Sequence, residues 1–396
     1  MANAKRPLDG ITVVSLEHAI AAPFCTRQLA DLGARVIKVE RPGVGDFARG
    51  YDDRVHGLAS HFVWTNRSKE SLTLDVKHPE AGKIVDGLLA GADVLVQNLA
   101  PGAAARLGLS FEDLHEKYPR LIVCDISGYG DSGPYRDKKA YDLLIQSESG
   151  FLSITGSQDE PAKAGCSIAD ISAGMYAYSN ILAALIQRAK TGKGSRVEVS
   201  MLETMAEWMS YPLYYAIDGA SPPPRSGAAH ATIYPYGPFT AGDGKVVMLG
   251  LQNEREWAIF CDKVLLQPEL ASDARYASNL KRTVARNEVK ALVEQAFAGL
   301  DATQVEARLE SAGIANARVN DMHDLWQHQQ LHARGRWVQI DSPAGPLPAL
   351  LPPGLPGDVE PRMDAVPALG QHTSAILAGL GYSAAEIDQL RNERAI

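Results

Sequence analysis

Asp170 is the only acid in the run Cys166-Ser-Ile-Ala-Asp-Ile-Ser-Ala-Gly-Met-Tyr-Ala-Tyr-Ser-Asn-Ile-Leu-Ala-Ala-Leu-Ile186. Ile171, Met175, Tyr178, Ile181, Leu182 and Leu185 recur at helical spacing, and Gly192 and Gly194 close the segment, which predicts a helix over Ile171 to Ala189 with Asp170 at its start. A carboxylate there meets free backbone N–H groups and the positive end of the helix dipole, both of which favour its ionised form. Two readings stand side by side. Asp is a preferred capping residue, so Asp170 can be a plain N-cap; an anion in apolar surroundings can also be a nucleophile or a general base.

Other chemistry-bearing patterns point less far. Gly128-Tyr-Gly130-Asp-Ser-Gly133 matches a dinucleotide-binding spacing after a strand, but Pro134-Tyr-Arg-Asp-Lys-Lys follows it, not an apolar helix able to receive a pyrophosphate. His328 and His332 stand four apart without a third ligand at a recognised spacing, so a metal centre is not expected. His18 and His230 lie near turns, where a hydrogen-bonded structural histidine is the common outcome. The chain has no GxSxG, HExxH or GKS/GKT motif, which removes several hydrolase and nucleotide-hydrolase readings.

The elements that must position Asp170 follow from patterning. Ile11–Leu16, Val36–Glu40, Leu72–Asp75, Val94–Gln97, Leu121–Ile126 and Val197–Ser200 read as strands, alternating with helices at 24–32, 80–89, 111–118 and 171–189. Such alternation implies an α/β fold with a Rossmann-like parallel sheet, whose ligands bind at the carboxyl ends of the strands. The loops there carry Arg41, Lys77, Asn98 and the segment 127–139. Ser-Pro-Pro-Pro-Arg-Ser-Gly227 marks a crossing, so residues 1–217 are expected to form a large domain and 218–335 a smaller α+β domain. The smaller one should hold strands around a turn at Gly242-Asp-Gly244 and helices over 254–263, 286–297 and 302–312. Residues 339–371 are rich in Pro and Gly and read as irregular, and helices at 373–380 and 384–391 are expected to return 336–396 to the large domain.

The 396 residues carry 39 Lys and Arg against 47 Asp and Glu, a formal net charge of −8. That sign is wrong for a protein coating nucleic acid or anionic lipid. Four dispersed cysteines fit free thiols in a reducing compartment. No apolar run reaches membrane-spanning length and the opening residues lack a signal-peptide core, so a soluble cytoplasmic protein is expected.

Several ordered motifs together resemble a known family. Asp9-Gly-Ile-Thr-Val-Val-Ser-Leu16, Ala22-Pro-Phe-Cys-Thr26, Leu29-Ala-Asp-Leu-Gly-Ala-Arg-Val-Ile-Lys-Val-Glu-Arg-Pro-Gly-Val-Gly-Asp46, Asn66-Arg-Ser-Lys-Glu-Ser-Leu-Thr-Leu-Asp75, Ala92-Asp-Val-Leu-Val-Gln-Asn98, Ser127-Gly-Tyr-Gly-Asp-Ser-Gly-Pro134 and Ala365-Val-Pro-Ala-Leu-Gly-Gln-His-Thr373 are similar to the class III coenzyme A transferases, the formyl-CoA transferase or CaiB/BaiF family. The resemblance implies that Asp170 is the catalytic aspartate and forms a covalent aspartyl-CoA. It implies that Ile20, Ala21, Arg41, Leu74, Lys77, Asn98, Leu99, Arg106, Lys139 and Tyr141 line the coenzyme A site, with no metal or redox cofactor. It further implies an interlocked homodimer whose large domain uses both chain ends.

Within the family, racemases of alpha-methylacyl-CoA carry a histidine where this chain has Tyr141 between Ala140 and Asp142. A phenol with an ordinary pKa near 10 is a poor base at neutral pH, which favours a transferase over a racemase; a catalytically silent CoA-binding protein stays open as a third reading. Asp46-Phe-Ala-Arg-Gly-Tyr51, Ser60-His-Phe-Val-Trp-Thr65 and 230–239 resemble members acting on C4 and C5 dicarboxylates such as mesaconate, itaconate, citramalate or malate, with succinyl-CoA as donor. Transfer between the two carboxyls of one mesaconyl unit belongs to the same chemistry. Arg49, Tyr51, Arg54, Arg225 and His230 are the candidate residues for the acid, an arginine being suited to its second carboxylate.

Overall fold

The computed structural model describes residues 6–355 and 357–396. Its centre is a six-stranded parallel sheet, ordered β3-β2-β1-β4-β5-β6. The strands are β1 (Thr12–Leu16), β2 (Arg35–Glu40), β3 (Lys69–Thr73), β4 (Val94–Gln97), β5 (Ile122–Ser127) and β6 (Arg196–Ser200). Val13 and Val14, Val94 to Val96 and Ile122 to Cys124 are buried on both sides of the sheet, which is why these strands read as unbroken apolar runs rather than as alternation. The mixed α/β class expected from the sequence is the one observed.

β3 begins three residues before the expected Leu72. Lys69 and Ser71 point into the interior as polar residues, so the first half of this strand carries no apolar signal. One sheet face is covered by the helices Ala21–Asp31 and Ile168–Thr191. Against the other, Ile84 and Leu88 of the helix Ala81–Ala90 join Ile376, Leu377, Ile387 and Leu390 of the helices Thr373–Gly379 and Ala384–Asn392 in a single cluster with Val14, Ile37, Leu95 and Val123.

The helix that carries Asp170 starts at Ile168, three residues earlier than its apolar spacing suggests, with Ser167 before it. Asp170 therefore lies inside the first turn, and the N-cap reading is overturned. The capping work is done from outside: Oδ1 of Asp142 accepts the amide of Ala169 at 2.8 Å. At Gly174 the same helix comes so close to the Ala21–Asp31 helix that a Cβ would stand 2.7 Å from the carbonyl oxygen of Ala21 and 3.0 Å from the Phe24 ring.

The chain divides into two compact units. One takes the chain up to Ser149, Ala164–Met209 and Leu331–Ile396; the other takes Gly150–Lys163 and Ser210–Gln330. The smaller unit thus includes an excursion at 150–163 that the sequence reading leaves in the large domain, and it opens at Ser210 rather than at 218. It holds β7 (Tyr236–Thr240), β8 (Val246–Gly250) and β9 (Ala315–Arg318) in one antiparallel sheet. Helices Glu254–Lys263, Arg286–Phe297 and Ala302–Ala312 bury Trp257, Phe260, Phe297 and Leu309 against that sheet. β9 is Ala-Asn-Ala-Arg and mostly exposed, so neither periodicity nor apolarity announces it.

The segment 339–371 is not wholly irregular, as its composition suggests. Trp337–Ile340 pairs antiparallel with Leu347–Leu350, and Ile340, Leu347 and Val366 pack with Ala48 and Phe62. Pro348 is accommodated because a two-stranded ribbon has edges on both sides.

Replacing Gly174 by Ala should force the two helices apart where Asp170 meets Ala21. We expect about 1–3 kcal/mol of destabilisation in urea unfolding, whereas an unchanged midpoint would mean that the helices can part at no cost.

Candidate active site

Loops at the carboxyl ends of β1 to β5, together with Asp170 and residues 391–396, enclose an open cavity of about 1910 Å³. That is larger than the roughly 300–1,000 Å³ of a common small-molecule site and suits a long ligand. Its floor is the loop from Glu17 to Ala21. The amide of His18 donates to Oδ1 of Asn98 at 2.9 Å, and Nδ2 of Asn98 donates back to the His18 carbonyl at 2.9 Å. Ala19 is held at φ 62°, a region costly for a residue with a Cβ, and its amide donates to Oδ1 of Asp46 at 2.8 Å.

Four buried ionic groups hold this loop from beneath. Lys38 Nζ donates to Asp46 Oδ2 at 2.6 Å and to Glu17 Oε1 at 3.2 Å. Lys69 Nζ donates to the same Glu17 oxygen at 2.7 Å, to the Pro23 carbonyl at 3.0 Å and to Asn66 Oδ1 at 3.1 Å. Glu17 and both lysines have no exposed side-chain surface. Burial alone would raise the Glu17 carboxyl, but Lys38 and Lys69 outweigh it and bring it down to about 2. The two lysines respond oppositely. Burial takes Lys69 down to about 8, with Lys38 adding repulsion, whereas in Lys38 burial is outweighed by Glu17 and Asp46, which raise it. Lys38 faces two carboxylates and Lys69 faces one plus neutral oxygens, and that difference accounts for the signs.

Asp170 lines this cavity. The Ala21–Asp31 helix has no side-chain cap, so its first amides lack side-chain partners, and the backbone amide of Ala21 faces the Asp170 carboxyl group closely enough to favour its ionised form. Nevertheless Asp170 is pushed up to about 7, first by burial and then by the charge of Asp142. The expectation that a helix start keeps this carboxylate readily ionised is corrected here. Asp142, fixed by the Ala169 amide and by Gln146 Nε2 at 2.7 Å, has taken the helix-terminal amide and set a second negative charge beside Asp170.

Tyr51 and Tyr141 both line the cavity, Tyr141 being 73% exposed. The Tyr51 phenol is raised by burial and by the charges of Asp46 and Asp170. Ile20, Ala21, Leu74, Leu99 and Asn98 line the same cavity, though the amide of Asn98 is committed to the His18 backbone.

Arg41, Lys77, Arg106 and Lys139 line it too, and none of them has a carboxylate partner among the described residues. Arg41 lies over the Phe47 ring at 6.0 Å. By contrast, lining residues Arg136, Lys138 and Arg196 are ion-paired with Asp137, Glu148 and Asp125. Cations without a carboxylate partner, gathered on one cavity wall of a protein of net charge −8, suit an anionic ligand.

The candidate acid-binding residues do not gather as a set. Arg49 grips Glu40 through two 2.8 Å bonds and stacks on Phe62 at 3.7 Å, so its forked donors are already used. Arg54 is not among the lining residues. Arg225 and His230 belong to the smaller unit, where Arg225 donates to the carbonyls of Ser157 and Gln158, and Nδ1 of His230 accepts from the amides of Thr232 and Ile233.

Two contributors escaped the sequence reading. Asp142 sits one residue from Tyr141 but reads as an ordinary helix-starting acid, and Arg394 lies in a helical tail whose only legible signal is packing. Gly128, Gly130 and Asp131 of the decoy glycine motif do reach the cavity wall. Among the described residues no three His, Cys, Asp or Glu side chains gather as metal ligands, and no helix is long and apolar enough to cross a membrane.

A sequence model of CoA-transferase family III matches residues 8–373. The chain belongs to that family. This CoA transferase is 33% identical to the mouse succinyl-CoA:glutarate CoA-transferase over 393 residues, covering 98% of this chain and 90% of the mouse protein. It is 34% identical over 391 residues to the succinate–glutarate CoA-transferase of Agrobacterium fabrum, covering 96% and 97%. A crystal structure of a CaiB/BaiF family protein from Brucella suis superposes with a TM-score of 0.83 at 34% identity, covering 95% of this CoA transferase and all of that chain.

The raised Asp170 couples folding to pH. An acid that keeps its proton longer in the fold than in the unfolded chain costs stability progressively as pH climbs from its ordinary 3.8 towards 7, and nothing further above that. Asp170→Asn should therefore gain on the wild type by about 1–2 kcal/mol between pH 5 and pH 8 in urea unfolding, allowing for partial solvent screening. An equal gap at both pH values would contradict the burial of this charge.

Proposed function

We propose that this CoA transferase moves coenzyme A from an acyl-CoA donor such as succinyl-CoA to a C4 or C5 dicarboxylate through a covalent intermediate on Asp170. The observation that carries the reading is the meeting of Asp170 with the Ala21 amide in a cavity whose wall holds four uncompensated cations. The glutarate transferases among its relatives act with succinyl-CoA on a C5 dicarboxylate by name, which supports the substrate class.

The ionised carboxylate of Asp170 attacks the donor thioester carbonyl. The C–S bond breaks, CoA leaves as thiolate, and a mixed anhydride joins Asp170 to the donor acid. The thiolate then attacks the aspartyl carbonyl, expelling the donor carboxylate and leaving an aspartyl-CoA thioester. The acceptor carboxylate repeats both steps in reverse, and Asp170 returns as a carboxylate. An uncapped helix amide aimed at this carboxyl group suits the oxyanion that forms on it. Arg41, Arg106, Lys77 and Lys139 would meet the phosphates, with Ile20, Leu74 and Leu99 along the apolar arm. In this reading the enzyme works in the cytoplasm as an interlocked homodimer, and neither metal nor redox cofactor takes part.

A second reading draws on the same carboxyl group. A group poised at about 7 is also well matched to general-base chemistry, so Asp170 could shuttle the alpha proton of an acyl-CoA.

Incubation with succinyl-CoA and a panel of dicarboxylates, followed by mass analysis of acyl-CoA products, should reveal exchange, and Asp170→Ala should lose at least about a thousandfold of it. Hydroxylamine should trap the aspartyl thioester. Absence of exchange with every acid, together with deuterium wash-in at the alpha carbon, would replace the transferase reading with the isomerase one; CoA binding without either reaction would leave a silent binder. In the transferase, kcat/KM should rise with pH along a limb near 7, and Asp142→Asn should move that limb to lower pH.

A further inference from the structure

We infer that His61, backed by Asp52, receives the second carboxylate of a diacid whose first carboxylate reacts at Asp170, and that this histidine sets a preference for diacids over monoacids. The inference deepens the transferase reading proposed above and rests on it.

His61 belongs to the helix Ser60–Asn66, which carries no residue of the proposed chemistry. One layer of side chains joins that helix to the two that do. The Phe24 ring meets the Trp64 ring at 5.2 Å, and on its other side a Cβ at Gly174 would stand 3.0 Å from it. His61, Ala21 and Asp170 precede Trp64, Phe24 and Gly174 by three, three and four residues, so each lies on the same helix face one turn nearer the cavity. All three line it. Tyr51 closes the corner, its ring edge-on to that of His61 with centroids 5.5 Å apart. Asp46 and Asp170 add to burial in raising the Tyr51 phenol, so the field of Asp170 reaches the ring that His61 packs against.

The two nitrogens of His61 have different surroundings. Nδ1 is buried and stands 3.6 Å from Oδ2 of Asp52. Asp52 is itself fixed: Oδ1 accepts the amides of Arg54 at 3.0 Å and Ser60 at 2.9 Å, and Oδ2 accepts the Ser60 hydroxyl at 2.6 Å. Those bonds, the hydroxyl first, hold the Asp52 carboxyl well below its usual range, so it faces the imidazole as an anion. The His61 side chain nevertheless stays 41% exposed, and with Nδ1 buried it is the edge carrying Nε2 that is left to the cavity. An imidazolium donates from both nitrogens. Here one donor is directed at Asp52 and the other at whatever the cavity holds.

The other basic groups on the wall fit a second carboxylate less well. Arg49 is spent on Glu40, and Arg196 is spent on Asp125 and Asp131. His18 packs on the Phe47 ring at 4.7 Å, and burial lowers it despite Asp46 at 4.0 Å, which leaves a neutral ring. The cations in the loops after β2 to β5 are assigned to coenzyme A in the proposed reading. A C4 or C5 diacid separates its carboxylates by only a short carbon chain, so its second carboxylate must be met close to the first. His61 offers it a charge-assisted hydrogen bond; a monoacid has nothing to place there.

The test compares acceptors that differ only in the second carboxylate, glutarate with pentanoate and mesaconate with tiglate, at one fixed concentration of succinyl-CoA. Any effect on the donor then cancels in the ratio of kcat/KM. The wild type should prefer at least one diacid to its monoacid, and His61→Phe should lower kcat/KM for that diacid about tenfold or more while leaving the monoacid unchanged. His61→Gln, which keeps an N–H donor, should recover part of the loss. Asp52→Asn keeps the shape of the side chain but not its charge, and should raise KM for the diacid at unchanged kcat. Thermal unfolding of each variant at the wild-type temperature would separate these losses from loss of fold. Equal losses for both members of a pair, no loss for either, or a wild type without preference would overturn the role of His61 and leave the transferase standing. An unaltered KM in Asp52→Asn would overturn the role of Asp52. A wild type that exchanges with no acid at all would overturn the transferase reading, and the role of His61 with it.

Discussion

Everything at the candidate site leans on one buried ionic cluster, Glu17, Lys38, Asp46 and Lys69. Ions removed from water cost several kcal/mol each unless their partners are complete, and here Glu17 accepts from both lysines and from the Thr26 hydroxyl at 2.7 Å. The cluster joins three strands: Glu17 follows β1, Lys38 lies within β2 and Lys69 opens β3. Through Asp46 it holds the amide of Ala19, and through Lys69 it holds the carbonyl of Pro23. The uncapped start of the Ala21–Asp31 helix is fixed between those two bonds, so the amide that meets Asp170 owes its place to charges that never touch a ligand. An apolar cluster of equal volume could fill the same space, but it could not hold a strained Ala19 by its N–H.

The second constraint is the nearness of Asp142 and Asp170. A helix start normally favours a carboxylate, yet the amide that would most directly do so belongs to Asp142. Asp170 is left with one amide from a different helix, a desolvated environment and a like charge beside it. The result is a carboxyl group poised at about 7, half of it reactive at neutral pH. Such a group is a stronger nucleophile when ionised than one held at an ordinary carboxylate value, because what raises its pKa also leaves its anion less well stabilised. The close approach at Gly174 keeps Ala21 within reach of it.

The sequence made the sheet legible because parallel strands buried on both faces are continuous in Val, Ile and Leu, and it made the helices of the smaller unit legible because their apolar spacing runs from cap to cap. It failed where burial is polar or where pairing needs no apolar face. Lys69 and Ser71 hid the start of β3, Ala-Asn-Ala-Arg hid β9, and proline-rich composition hid the hairpin of Trp337–Ile340 with Leu347–Leu350. At the site, strand-end position pointed to Arg41, Lys77 and the segment that ends at Lys139, while the family resemblance was needed to add Arg106 and Asp170; all five line one cavity. Neither position nor resemblance could reveal that Arg49 is consumed by Glu40, or that Arg225 is consumed by two carbonyls, since whether a cation is free depends on which acids the fold brings beside it.

That last distinction reorganises the electrostatics of the whole protein. A net charge of −8 argues against polyanionic partners only if its cations are dispersed or paired, and most of them are: Arg27 and Arg67 share Asp31, Arg188 holds Asp93 and Arg282 holds Glu254. Arg41, Lys77, Arg106 and Lys139, which have no such partner among the described residues, instead line one cavity at the carboxyl edge of the sheet, where the parallel arrangement brings every βα loop to the same side. An acidic surface around a narrow cationic wall repels extended polyanions while leaving a field that a small, several-fold charged ligand can enter. Arg394 adds to that wall from the turn that follows the helix Ala384–Asn392, whose own packing against Ile84 and Leu377 rests on Ile387 and Leu390.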